Sequence, residues 1–363
     1  MTDLVIRGGR VLVDGEFVVR DLCCRDGVIA DTGGPGADVL DASGLLVAPG
    51  MIDIQINGGW GHDFTTDPAS VAAVAPELPA TGVTAFLPTV VTASPERRAA
   101  ALATPLPAAA LGWHFEGPMI APSRVGAHDP AWVGPVGADE LATWAGRVRL
   151  VTLAPETPGA MESIAALTAA GVTVAIGHTA CTADEFAAAR RAGAMAVTHL
   201  FNAMAPFSHR APGPIGAALA DPAVVAGLIC DGIHVDPVAV AMAWRALGPP
   251  RTLLVTDAMA ALGVAATDEI VLGGLRVSVG DDGVRTPDGV LAGSNLSMDA
   301  AVRNLVAFTG CSPAEALGCA SRVPADLLGL ADRGRIAEGA RADLVVLDES
   351  LHVRHTLLEG LPA

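Results

Sequence analysis

Three features of this 363-residue chain predict an α/β fold: a TIM-like (β/α)8 barrel of parallel strands, joined to a small β-sandwich built from both chain ends. The middle alternates near-continuous apolar runs with Ala-rich segments of helical character, as a parallel sheet covered on both faces requires. Eight such runs argue for closure into a barrel rather than an open sheet. The two ends read instead as short β-segments separated by tight turns.

In chain order, Leu4-Val5-Ile6 runs into Gly8-Gly9, and Val11-Leu12-Val13 into Asp14-Gly15, a hairpin signal. Val18-Val19, Leu22-Cys23 and Val28-Ile29 continue the pattern, and Leu344-Val345-Val346-Leu347 with Val353-Arg354-His355-Thr356 echoes it at the other end. This assigns 1–47 with 335–363 to the small domain and 48–334 to the barrel. The predicted barrel strands are 46–57, 83–91, 111–117, 148–154, 172–179, 194–200, 225–230 and 252–257. Segments 182–192 and 237–247 read as intervening helices, about 269–292 as a β-hairpin insertion, and 297–309 and 313–319 as closing helices.

Composition sets the outer limits. With 51% hydrophobic and 17% charged residues, the chain can fill a large core. A formal charge of −17 argues against nucleic-acid and anionic-membrane partners. No apolar run suits a membrane helix, and the first residues lack a basic region followed by a long apolar core, so the expected address is the cytosol. The six cysteines contain no C-x-x-C pair, in keeping with a reducing compartment.

In such barrels the working residues stand where strands end. Glu116, His178, His199 and Asp257 all fall there. Gly117-Pro118 stops the third strand directly after Glu116. Singly, each has a plainer reading: a core histidine, a cap or an Arg partner for Glu116, a helix N-cap for Asp257. Together, one Glu and two His at equivalent strand positions predict one metal ion, with Asp257 beside it. The donor set suits zinc, and also iron, manganese or cobalt. His114 shares a strand face with Glu116 and is expected deeper in the barrel, hydrogen-bonded and not a ligand.

Here a resemblance becomes specific. Pro49-Gly50-Met51-Ile52-Asp53-Ile54-Gln55-Ile56-Asn57-Gly58 resembles the first-strand motif of the amidohydrolase superfamily, with Gln55-x-Asn57 where many members carry a metal-binding His-x-His. Amides are poor zinc ligands, so this departure implies one metal ion per subunit, with only a weak second site left open. No lysine exists in the chain, which excludes a carboxylated-lysine bridge. His114-Phe115-Glu116-Gly117-Pro118, Gly177-His178-Thr179 and Thr198-His199-Leu200-Phe201-Asn202-Ala203-Met204 are similar to the metal motifs of the N-acetylglucosamine-6-phosphate deacetylase family. Asp231-Gly232-Ile233-His234, Val255-Thr256-Asp257-Ala258 and Gly293-Ser294-Asn295-Leu296-Ser297-Met298 follow in that family's order.

The resemblance implies hydrolysis of N-acetyl-D-glucosamine 6-phosphate to D-glucosamine 6-phosphate and acetate. Glu116, His178 and His199 would hold the metal, Asp257 would act as general base and acid, and His234 would polarise the acetyl carbonyl. His234 has a structural loop reading on local grounds. Ala127, His128, Asn202, Ala203, Asp231, Gly232, Ile233, Leu291, Ala292 and Gly293 would line the sugar pocket. Arg210, beside His209, would bind phosphate in a neighbouring subunit's site, implying a homodimer or dimer-based tetramer. The alternatives are another N-acetylated hexosamine phosphate, a cyclic amide or aminoacyl substrate, or a non-catalytic scaffold. The intact ligand set and Asp257 speak against the scaffold.

Overall fold

The computed structural model describes residues 3–34, 36–265, 269–272, 275–280, 283–285 and 293–363. Its centre is one eight-stranded sheet, every adjacent pair parallel: β1 Met51–Ile56, β2 Val83–Val91, β3 Trp113–Glu116, β4 Val148–Leu153, β5 Thr173–Ile176, β6 Ala196–Val197, β7 Val225–Leu228 and β8 Thr252–Leu254. The strands lie side by side in chain order. The ends of the sheet meet through the segment after β8. The Asp257 N–H donates to the Gln55 carbonyl at 2.9 Å, and the Asn57 N–H to the Ala258 carbonyl at 2.7 Å. The cylinder is therefore closed through three of the residues whose chemistry the sequence singled out, Gln55, Asn57 and Asp257.

Helices cover the outside. They include Pro95–Ala103, Ala138–Trp144, Ala160–Ala169, Ala183–Ala192, Gly213–Ala220, Pro237–Leu247 and Met298–Thr309. Their starts have local causes. Thr182 and Glu185 form a reciprocal capping box, and the Asp236 side chain accepts the Val238 N–H at 2.8 Å. Strand β3 shows how the period of two sorts its residues. Trp113 and Phe115 are buried on one face, and Phe115 meets Trp144 edge-on at 5.0 Å between ring centroids. His114 and Glu116 take the other face, inside the barrel. Among the described residues no helix is long and apolar enough to cross a membrane.

The chain ends build two further sheets around their own core. One is ordered Val28–Ala30, Leu22–Arg25, Leu4–Arg7, Asp38–Asp41. The other is ordered Leu361–Pro362, Val353–Leu358, Leu344–Leu347, Leu46–Pro49, Arg10–Val13, Glu16–Val19. Ile6, Leu22 and Ile29 of the first pack with Val11, Val47, Leu344 and Leu357 of the second.

The expected strand 46–57 is in fact two. Leu46–Pro49 belongs to the terminal sheet and Met51–Ile56 to the barrel, with Gly50 between them. At Gly50 a Cβ would lie 2.2 Å from the Thr84 hydroxyl, so the chain passes between layers only with no side chain there. The expected strand 194–200 shrinks to Ala196–Val197, because the chain turns sharply at His199. Among the described residues the insertion forms three antiparallel strands, Glu269–Leu272, Leu275–Gly280 and Gly283–Arg285, one more than a hairpin.

Candidate active site

Glu116 ends β3, and Gly117 turns the chain immediately after it at φ 84°. A Cβ at Gly117 would stand 2.3 Å from the Thr92 hydroxyl. His178 and His199 each sit two residues beyond their strands, and Asp257 three beyond β8. All three adopt left-handed backbone, with φ of 48°, 26° and 49°. For a side chain with a Cβ this conformation costs about 1–2 kcal/mol per residue. The hydrogen bonds of the surrounding loops hold it in place. At each of these strand ends the chain bends, and the side chain is delivered to the rim.

The predicted metal trio converges. The Nε2 atoms of His178 and His199 lie 3.1 and 2.9 Å from Glu116 Oε1 and 3.1 Å from each other. All three side chains are buried. The donor chemistry fits a cation. His178 Nδ1 is 2.8 Å from the Arg124 carbonyl, which can only accept, so Nδ1 carries the proton and Nε2 of the neutral ring presents a lone pair. That lone pair faces a carboxylate oxygen and a second imidazole nitrogen. A tetrahedral cation with ligand bonds near 2.0–2.1 Å has ligand edges of roughly 3.3 Å, close to these separations.

His128 adds a member that the sequence placed only in the sugar pocket. Its ring lies 4.3 Å from that of His178, and its Nε2 is 3.9 Å from Glu116 Oε2. Glu116, His128 and His178 offer possible ligand atoms all within 4.8 Å of one another, a candidate metal site. His199 approaches Glu116 more closely than His128 does. The Thr92 backbone N–H points to His128 Nδ1 at 3.4 Å, and the Thr92 hydroxyl lies 2.7 Å from that nitrogen. The histidine nearest the ligand group is thus tethered through its other nitrogen.

Burial acts to raise the Glu116 carboxyl, but the two imidazoles beside it hold it well below the usual carboxylate range. Burial opposes charge on His199 as well, yet the Glu116 carboxylate brings it up to about 9. Burial, and then the negative charge of Glu116, push Asp257 up to about 6. The Asp257 Oδ1 accepts the Asn57 side-chain N–H at 2.7 Å and that of Gln55 at 3.1 Å. The Gln55 nitrogen also lies 3.3 Å from Glu116 Oε1. The two residues standing in the first-strand motif therefore act as N–H donors to the carboxylates of the site. The Asn57 Oδ1 is buried with no partner.

Beneath the trio, His114 is fully buried as expected. It lies 3.1 Å from the Thr89 hydroxyl and 2.8 Å from that of Thr152, which in turn meets Thr198 at 2.6 Å. Burial lowers it to about 4, so the barrel floor is neutral. At Gly177, which precedes His178, a Cβ would collide with Thr152 and Thr198 at 2.7 and 2.9 Å, so that motif has no room for a side chain.

The remaining predicted residues sort by loop. In the loop after β7, the Asp231 Oδ1 accepts the N–H groups of Ile233 and His234 at 2.8 Å, and Oδ2 meets His234 Nδ1 at 2.5 Å. Gly232 makes the turn between them at φ 76°. Asp231, expected in the sugar pocket, thus spends both oxygens on His234 and its backbone and leaves Nε2 as that ring's free nitrogen. The Asn202 side chain donates to the His199 carbonyl at 3.3 Å, and the Ala203 carbonyl accepts the Thr179 N–H at 3.1 Å. Ala127 is exposed next to His128, and Gly293 precedes Ser294, whose carbonyl accepts the Met259 N–H at 3.0 Å. Leu291 and Ala292 lie outside the described residues. Arg210 and His209 are exposed in the turn between Ser208 and Ala211. No helix begins at Asp257, so the cap reading of that residue has nothing to cap.

Comparison with known proteins places this geometry. The profile of the amidohydrolase family matches residues 46–361. The chain is 42% identical to N-acetylglucosamine-6-phosphate deacetylase of Bos taurus, covering 99% of this chain and 90% of that protein. It is 38% identical to N-acetylgalactosamine-6-phosphate deacetylase of Escherichia coli O157:H7, covering 98% of each. Among solved structures, it resembles N-acetylglucosamine-6-phosphate deacetylase of Pasteurella multocida at 28% identity and TM-score 0.93, covering 99% of both chains. It also resembles a mutant of the Mycobacterium smegmatis enzyme in complex with N-acetyl-D-glucosamine-6-phosphate. That match has 34% identity and TM-score 0.90, covering 100% of this chain and 99% of the other.

Proposed function

The chain belongs to the amidohydrolase family, and from that premise we propose how its rim hydrolyses an acetamide. The reaction is deacetylation of N-acetyl-D-glucosamine 6-phosphate to D-glucosamine 6-phosphate and acetate. Glu116, His178 and His199 are the metal ligands of this reading, and zinc is the metal that their types suit best. A divalent ion held by these residues would supply an acidified water, its pKa brought from 15.7 towards about 7.

Asp257 takes the proton of the attacking water and returns it to the amide nitrogen, which leaves only once protonated. Gln55 and Asn57 occupy its Oδ1, so Oδ2 is the oxygen available for that exchange. His234, with Nδ1 donating to Asp231, offers the acetyl oxygen an N–H donor from Nε2 when the ring is protonated. The observation that carries this reading is the Gln55 nitrogen between Glu116 and Asp257, which sets the proton carrier beside the ligand group.

Arg210 is the proposed phosphate ligand of a neighbouring subunit, with a guanidinium fork suited to phosphate oxygens. Its surroundings support a homodimer or a dimer of dimers. Phe207 and Met242 are 58% and 50% exposed, and with Phe201, Met204, Ile215 and Leu219 they line an apolar cavity of about 360 Å³. The cytosol is the proposed site of action, where a phosphorylated sugar would be retained.

The test is acetate release with phosphorylated and unphosphorylated sugar, each with and without chelator. Chelator-insensitive turnover would remove the metal, and equal use of the unphosphorylated sugar, or an unchanged KM in Arg210→Ala, would remove the phosphate contact. A second reading has its own support in the E. coli relative that acts on the galactosamine epimer. Comparing kcat/KM for the two C4 epimers decides between them.

A further inference from the structure

The loop after β4 carries a carboxylate that no sequence motif marked. Glu156 stands three residues beyond Leu153, the last residue of that strand. Its Oε2 accepts the Thr179 hydroxyl and its Oε1 the Ala180 backbone N–H, both at 2.5 Å. Thr179 directly follows His178 and is fully buried. The same hydroxyl accepts the Cys181 N–H at 3.0 Å. The Thr179 backbone is bound to the loop after β6: its N–H donates to Ala203 at 3.1 Å, and its carbonyl accepts from Ala205 at 3.0 Å. Glu156 therefore closes a brace across the loops that follow β4, β5 and β6.

The brace holds a strained residue. His178 keeps φ at 48°, a conformation that the chain leaves when nothing holds it. Upstream, the Gly177 N–H is tied to the Leu153 carbonyl at 3.0 Å, and the His178 carbonyl accepts the Ala121 N–H at 2.9 Å. Downstream, Thr179 and Ala180 are held by Glu156. The requirement for a carboxylate is chemical: two donors from different groups arrive together, and each needs its own acceptor oxygen. Gln offers one acceptor and one donor, so it can serve only one of the two N–H or O–H groups as they now point.

We propose that Glu156 is a positioning residue for metal binding. Its carboxylate locks Thr179 and Ala180, so that His178 holds Nε2 in the ligand cluster without paying the strain at each encounter with the ion. The inference rests on His178 being a ligand, and the experiment separates the two. Zinc and cobalt affinities are measured by competition with a chromophoric chelator for the parent, Glu156→Gln, Glu156→Ala, Thr179→Val, Thr179→Ser and His178→Ala. The cobalt absorption bands and the thermal midpoint of the metal-free protein are recorded alongside.

Loss of a group that orients a ligand weakens metal binding by about 10- to 100-fold. That loss is expected in Glu156→Gln and Thr179→Val, with altered cobalt bands and near-parental midpoints. Thr179→Ser, which keeps the hydroxyl, should bind as the parent does. Should Glu156→Ala fail to fold, the Gln and Thr179 variants carry the test. Affinities within twofold of the parent in Glu156→Gln and Thr179→Val overturn the brace alone. Parental affinity in His178→Ala overturns the ligand assignment beneath it.

Discussion

Two arcs of the same rim use strand-end side chains in opposite ways. Along β3, β5 and β6, Glu116, His178 and His199 collect lone pairs within 2.9–3.1 Å of one another. Along β1 and β8, Gln55 and Asn57 collect N–H groups on one oxygen of Asp257. The first arc has the donor chemistry that suits a cation, and the second hydrogen-bonds a carboxylate through N–H groups. Histidines in the second arc would offer more lone pairs to metal and leave Asp257 as a further ligand. Amides there keep Asp257 hydrogen-bonded and able to take up a proton. The contrast teaches that a site's charge pattern follows from which atoms its side chains turn inward, beyond how many polar residues line it.

The sharpest way to break this division is Asp257→Asn, which keeps the shape and removes the proposed base. General acid–base contributions run to about 10²–10⁴-fold, so kcat should fall by that order while metal content is kept. Turnover within tenfold of the parent would deny Asp257 its role. In the other arc, His199→Ala should lose most bound metal by elemental analysis and lose turnover with it. Full metal occupancy in that variant would move the centre towards His128.

The pH profile sharpens the comparison further. Burial and Glu116 raise Asp257 to about 6, and the base must be ionised to act. The rate should therefore fall tenfold per unit as pH drops through that limb, which a bound cation shifts downward by its charge. Asp257→Asn should lack the limb altogether, and a parental profile that stays level to pH 4 would refute the link. Asn57→Ala removes one of two donors to Asp257, and a hydrogen bond to a charge is worth about 1.5–3 kcal/mol. Roughly a tenfold loss in kcat with little change in KM is expected, and a change confined to KM would mean that Asn57 serves the substrate instead.

The smallest effect concerns stability. Asp53 lies fully buried where β1 meets the segment after β8, and its carboxyl accepts the Thr256 hydroxyl at 2.5 Å. Burial raises it to about 7. The folded state then binds the proton more tightly than the unfolded chain, whose carboxyl titrates near about 3.9. The contribution is full below that value and is lost progressively as pH rises to about 7. Asp53→Asn should flatten the decline in unfolding free energy, read from urea titrations between pH 5 and pH 8, by at most a few kcal/mol. Parallel declines in both proteins would show that Asp53 is ionised in the fold.

Much of this was written along the chain. Apolar runs that stop at Glu116, His178, His199 and Asp257 mark strand ends, because a buried strand tolerates a charged side chain only where it leaves the core. The paired motifs around them carried the family resemblance. The short β-segments and tight turns at both ends pointed to a separate small domain. The helices read at 182–192 and 237–247 start where Thr182 and Asp236 cap their own neighbours, whereas the helix capped by Ser94 was not read from the chain.

What only the tertiary structure decided involves partners far apart in sequence. His128, twelve residues past Glu116, swings back against His178, and Glu156 reaches Thr179 across neighbouring strands. Gln55 and Asn57 meet Asp257 some two hundred residues later, at the seam that closes the barrel. Local sequence specifies which residue leaves a strand and what chemistry it carries. Closure and register specify which other residue it then faces, and that distance is set by the whole sheet, not by any stretch of it.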